Sequence, residues 1–105
     1  IPAGVLEGDE APELCAAREL AEEVQLQSRE MVHLTTIHTT PGFTDERIHL
    51  FVARQLSPAE GVPEVDEYIE VVRIPLAEAI QMTRDGRITD GKTICGLHLA
   101  AMHTA

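Results

Sequence analysis

Two runs of alternating residues flank a Pro-Gly dipeptide, and this arrangement constrains the chain more than any other feature. Over residues 31–38, Val32, Leu34 and Thr36 alternate with His33 and Thr35. Over residues 47–55, Ile48, Leu50 and Val52 share one face while Phe51 and Ala53 share the other. Alternation of this period marks half-buried strands, and Pro41-Gly42 between them forces a turn. Residues 69–74 (IEVVRI) read as a third strand that Pro75 ends. Residues 1–5 read as a strand end entering a turn, and 57–63 as a loop. Helical patterns flank the strands. Pro12 opens a helix to about Val24, where Leu14, Ala17, Ala21 and Val24 form an apolar stripe. A short helix runs from Leu76 to about Arg84, closed by Gly86. A last helix runs from Gly91 or Lys92 to about Met102, with Ile94, Leu97 and Ala101 facing inward. Helices at both ends of mixed strands predict an α/β fold, helices packed on a sheet.

At 105 residues, with no Gly, Pro or Ser run long enough for a linker, one compact domain is expected. Eight Lys and Arg against eighteen Asp and Glu leave a net charge of −10. That balance argues against nucleic acid or an anionic membrane surface as partner, because phosphate polymers are bound by basic patches. It suits a chain that concentrates a divalent cation. No stretch has the apolar length of a spanning helix, and no basic segment precedes an apolar one, so a cytoplasmic location is expected. Residue 1 is Ile rather than Met, which points to processing or to an upstream part. Cys15 and Cys95 lack CxxC spacing; Cys15, near the stripe, reads as a small buried hydrophobe. His33, His38, His49, His98 and His103 offer no i,i+4 metal pair and read as ordinary surface or core histidines.

The acids are unevenly spread. Seven lie between Glu7 and Glu23, opposed there only by Arg18, and five between Glu60 and Glu70 with no base among them. Glu19, Glu22 and Glu23 crowd one turn of the first helix, where like charges repel by a few tenths of a kcal/mol per pair. Arg18, at i,i+4 from Glu22, can neutralise that side. Glu19 and Glu23 then remain as two oxygen donors on one face, the kind of pair a hard divalent cation takes.

The surrounding spacing is specific. Gly4 is followed by five residues, Glu10, seven residues, Arg18-Glu19-Leu20-Ala21-Glu22-Glu23, one residue, and Gln25-Leu26. This resembles the Nudix box: Gly, five, Glu, seven, Arg-Glu-apolar-any-Glu-Glu, any, Gly, apolar. Only Gln25 departs, standing where the family has Gly. At a helix end Gly serves as a left-handed cap, so Gln25 is expected to cost stability while touching no carboxylate. Ile1-Pro2-Ala3-Gly4 looks like the Leu-Pro-Ala-Gly entry of ADP-ribose pyrophosphatases. Thr40-Pro41-Gly42-Phe43-Thr44-Asp45-Glu46-Arg47-Ile48-His49-Leu50-Phe51 resembles the segment after their second strand, with Pro41 fifteen residues beyond Leu26 as the marker proline. Asp66-Glu67-Tyr68-Ile69-Glu70-Val71 is similar to their acidic loop and following strand. The likeness covers essentially the whole chain and begins at the box. Complete members carry early strands upstream, with much of the dimer interface and adenine pocket.

The resemblance implies a Nudix-type α/β/α sandwich with a mixed sheet, lacking the N-terminal strands. It also implies Mg²⁺-dependent hydrolysis, with Mn²⁺ as substitute, of the diphosphate of ADP-ribose or a related nucleoside diphosphate sugar. The products would be a nucleoside monophosphate and a sugar phosphate, and the complete protein would be a homodimer. Glu19 and Glu23 become the principal metal ligands, with Glu22 as ligand or catalytic neighbour and the Ala3 carbonyl as a further oxygen. Glu10 and Arg18 form the ion pair that holds the box loop to the helix. Glu67 becomes the late-loop acid that binds metal or accepts a proton from water; Glu64 is the alternative, and solvent-facing loop acids a third reading. Gly42 and Glu46 are the expected substrate contacts, with Glu46 and Arg47 after the Pro-Gly turn placed to meet phosphates or ribose, against a plain strand-end ion pair. Phe43 and Tyr68 read as core packing rather than base stacking. Two rival readings stay open: a non-catalytic Nudix-like module that binds a nucleotide and regulates something else, and a truncated, inactive fragment.

Overall fold

The computed structural model describes residues 1–61 and 69–104. Its elements are α1 (Pro12–Val24), β1 (Leu26–His38), β2 (Arg47–Pro58), α2 (Leu76–Arg84) and α3 (Gly91–Thr104). With β1 and β2 paired in a two-stranded sheet, the chain is of the α/β class. Contacts group it into two compact units, Ile1–Val32 with Ala53–Val72, and His33–Val52 with Arg73–Ala105.

In the first unit, α1 begins where the extended backbone of Ala11 meets Pro12, whose fixed φ suits a first helical turn. No side chain caps this end; the amides of Leu14 and Cys15 donate to the Ala11 carbonyl instead. The helix ends at Gln25, which adopts the left-handed conformation (φ 60°, ψ 35°). Its amide donates to the Ala21 carbonyl at 3.0 Å and its side-chain amide to the same oxygen at 3.3 Å. This cap reverses the chain so sharply that pairing starts at once, with the Ala59 amide donating to the Gln25 carbonyl at 3.0 Å. β1 therefore begins at Leu26, earlier than the alternation alone indicates, and β2 runs to Pro58 into the expected loop. Gln55 is a second non-glycine residue with positive φ, 54°, and breaks the regularity of β2. The expected stripe on α1 is corrected in part. Cys15 is buried, but Leu14 and Ala17 are exposed.

In the second unit, the Pro-Gly turn closes with the Phe43 and Thr44 amides on the Thr40 carbonyl, both at 2.9 Å. Leu50 of β2 and Ala79 of α2 are buried here. α2 packs on α3, and the Thr83 hydroxyl is hydrogen-bonded to His98 Nε2 at 2.9 Å. Asp90 caps α3, accepting from the Thr93 amide at 3.0 Å and hydroxyl at 2.7 Å. These contacts with Thr93, then Lys92, hold the Asp90 carboxyl down at about 2.

Three expectations fail. Residues 69–74 form no strand; Ile69, Val71, Val72 and Ile74 lie along an irregular, exposed stretch. Alternation describes what a paired strand would look like, yet a strand forms only where it is hydrogen-bonded to another, and residues 69–74 join neither β1 nor β2, whose sheet has two strands. Residues 1–5 likewise form no strand. Phe43 is not core: it stands 90% exposed at the tip of the turn.

Candidate functional site

Everything the box spacing singles out among residues 3–23 comes together in the first unit. Arg18 is the hub. Its Nε and Nη2 grip the two Glu10 oxygens at 3.0 and 2.9 Å, a bidentate pair. Nη1 reaches Glu19 at 2.7 Å, Glu22 at 3.5 Å and Glu7 at 3.5 Å. Nη2 also donates to the Val5 carbonyl at 3.3 Å. One delocalised cation with a rigid fork of donors can serve several carboxylates at once. Glu10 closes the loop on itself by accepting from the Glu7 amide at 3.2 Å. The grip of Arg18 holds the Glu10 carboxyl down at about 2, and Glu10 in turn pushes the Arg18 guanidinium up. The loop is thereby tied to α1.

Two contacts bring residues 3 and 4 onto the helix. The Ala3 amide donates to both Glu23 oxygens, at 3.3 and 3.4 Å. Gly4 lies so close to Glu19 that a Cβ there would overlap its carboxyl group, so this position has no room for a side chain while Glu19 stays where it is. The Glu19 side chain is only 15% exposed, against 73% for Glu7. Partial burial, with the adjoining Glu19 carboxyl next in weight, pushes the Glu23 carboxyl up. Two carboxyl groups in one small space, both partly desolvated, favour either a shared proton or a cation.

The other sequence candidates lie elsewhere. Gly42 is exposed in the turn of the second unit, with open space around it. Glu46 accepts a 2.6 Å hydrogen bond from the Thr39 hydroxyl, and its amide donates to the Thr44 hydroxyl at 3.0 Å. Glu64, Glu67 and Tyr68 lie outside the described residues. Among the described residues no three His, Cys, Asp or Glu side chains converge into a cage for a metal ion. No helix among them is long and apolar enough to cross a membrane.

One grouping escaped the sequence reading. His33 and His49, far apart in sequence, meet across β1 and β2 with Thr36 between them. Strand alternation put His33 on the face opposite Thr36, and no helical spacing links the histidines. Only the pairing of β1 with β2 could have announced it.

The chain is similar to known proteins. A family model described as NUDIX domain matches residues 1–96. The chain is 39% identical to a methanol dehydrogenase activator of Bacillus methanolicus, over all of this chain and 58% of that protein. It is 40% identical to an ADP-ribose pyrophosphatase of Bacillus subtilis, over 89% of this chain and 51% of the relative. It is 42% identical to a GDP-mannose pyrophosphatase of Yersinia enterocolitica, over 96% and 54% respectively. A solved structure titled as an ADP compounds hydrolase superposes with a TM-score of 0.81 at 26% identity, covering 94% of this chain and 54% of that one. The chain thus spans little more than half the length of these relatives. With the box residues gathered on α1 and the family model running over most of the sequence, the chain belongs to the NUDIX domain family.

Proposed function

We propose that this chain carries the diphosphate-cleaving centre of a Mg²⁺-dependent pyrophosphatase acting on ADP-ribose or a related nucleoside diphosphate sugar. The observation that carries the reading is the meeting of the Glu19 and Glu23 carboxyl groups on one face of α1, with the Gly4 backbone flush against Glu19. Mg²⁺ takes one or two protein carboxylates and completes its shell with substrate phosphate oxygens and water. A pair of carboxylates without a closed protein cage fits that habit. Glu19 and Glu23 would hold the ion, which when bound screens the diphosphate and acidifies a water. Arg18 keeps the Glu19 carboxylate turned to the site, and the Ala3 amide does the same for Glu23. Glu22, with one oxygen near Arg18, is the proposed catalytic neighbour or further ligand beside this pair. Glu67 is the proposed late acid, and Gly42 and Glu46 the proposed substrate contacts. The relatives named for ADP-ribose and GDP-mannose support the substrate class.

The test is Glu23→Gln in the protein carrying this box, assayed with ADP-ribose and with GDP-mannose in Mg²⁺ or Mn²⁺. Loss of one ligand is expected to lower turnover by ~10²-fold or more. In chelator the melting temperature should hold or rise, because a like charge has gone. Near-normal turnover, or a markedly lower melt, makes these carboxylates structural instead.

The likeness to a methanol dehydrogenase activator favours a second reading, in which the chain acts on a partner enzyme. An unchanged partner effect in Glu23→Gln would select it.

A further inference from the structure

The hairpin end in the second unit gathers two imidazoles and a hydroxyl around one point. Thr36 Oγ1 lies 3.1 Å from His33 Nε2 and 2.8 Å from His49 Nδ1. In an even strand, residues three apart point to opposite faces. That His33 touches Thr36 means the alternation of β1 slips between them. Such slips are how bulged strands re-aim a side chain. The backbone pairs agree: from Gln25–Ala59 to Thr39–Glu46, β1 runs one residue longer than β2. Phe51 braces the result, its ring meeting that of His33 edge-on at 5.2 Å between centroids.

A hydroxyl has one proton to give. With two ring nitrogens on it, one imidazole accepts that proton while the other donates its N–H to the oxygen. At least one imidazole lone pair therefore already points at the centre of the trio, and a tautomer change brings the second. The ring centroids are 6.1 Å apart, close enough for both imidazoles to bind one ion after a small rotation of the exposed His33.

We propose that His33, His49 and Thr36 form a second cation site, selective for a borderline transition-metal dication such as Zn²⁺ over Mg²⁺. Imidazole nitrogen suits Zn²⁺, Cu²⁺ and Ni²⁺, while Mg²⁺ wants oxygen and dehydrates reluctantly. The trio offers two nitrogens and one oxygen from one side, leaving the remaining positions to water. No further His, Cys, Asp or Glu converges there among the described residues, so the affinity depends on both imidazoles. Bound across β1 and β2, the ion would tie the two strands together.

The experiment is calorimetric titration of the 105-residue chain with Zn²⁺ in a large excess of Mg²⁺, alongside melting curves. One equivalent should bind and raise the melting temperature, because an ion that binds only the folded chain stabilises it. His33→Gln and His49→Gln should each weaken binding by ~10-fold or more, through loss of a nitrogen donor, and Thr36→Val by a smaller factor. His33 is exposed, so its replacement tests the site without opening the core. A paired His98→Gln and His103→Gln variant should bind as the parent does. Zn²⁺ binding that survives either His33→Gln or His49→Gln overturns the proposal. So does binding that falls with Glu19→Gln instead, since the ion would then sit at the box.

Discussion

One guanidinium in the first unit serves four carboxylates, two of them only 15% and 17% exposed, whereas in the second unit two imidazole rings share one hydroxyl. Both groupings hold polar side chains in chosen directions, by different forces. Around Arg18, short charge-assisted hydrogen bonds to Glu10 and Glu19 are joined by looser ion pairs to Glu7 and Glu22 at 3.5 Å, which tolerate small shifts of the loop. Around Thr36 they are short, directional hydrogen bonds that fail if the strands slide by one residue. A charge hub can be built from neighbours in sequence. A hydroxyl hub on a hairpin needs a particular pairing of distant residues.

The comparison breaks most readily at the hub. Arg18→Gln strands Glu10, Glu19 and Glu22 together without a counter-charge, and should release residues 3–10 from α1. Replacing a cation that serves several partners should give the largest loss in the set, on the order of 10 °C in melting temperature. The NMR ring signals of His33 and His49 should stay where they are. Movement of those signals would mean that the two groupings depend on each other.

Acid sharpens the same contrast. The Glu10 carboxyl sits at about 2 in the folded chain against an ordinary 4.5, so it is a depressed group. Its contribution is fully present above pH 4.5 and is lost as pH falls toward 2. Glu10→Gln should therefore lower stability at neutral pH and flatten the acid limb in that window, followed by circular dichroism in chelator. An acid limb as steep as the parent's would remove Glu10 from the account. The second unit keeps an acid-sensitive group of its own in Asp90, so some slope should remain.

The smallest expected effect is a gain. Gln25 holds a left-handed conformation that an L side chain adopts at a cost, and its side-chain bond to Ala21 offsets only part of it. Gln25→Gly should raise stability by about 0.5–1 kcal/mol in chemical denaturation, after allowing for the greater freedom of glycine in the unfolded chain. Binding of Mn²⁺ to the box should not change, because Gln25 touches no carboxylate. A loss of stability would show that the side-chain cap outweighs the strain.

Where groups lie within a few residues of one another, the sequence by itself determined their relations. The helix rise carries Arg18, Glu19, Glu22 and Glu23 to one region of α1 whatever else the chain does. Pro12, the left-handed end at residue 25 and the Pro41-Gly42 turn were legible for the same reason: each is a dihedral preference of a residue and its neighbours. Two relations within the box were not visible: the crowding of Glu19 by Gly4 and the service of one guanidinium to Glu7, Glu10, Glu19 and Glu22 together. Both need the loop folded back on the helix. Pairing was decided only in the tertiary structure. IEVVRI has the composition of a strand, but it pairs with neither β1 nor β2 and stays exposed. His33 and His49 look unrelated along the chain, and one slip in alternation brings both onto Thr36. Periodicity records which face a side chain prefers. Which distant strand stands opposite, and in what register, depends on contacts that no local stretch of residues contains.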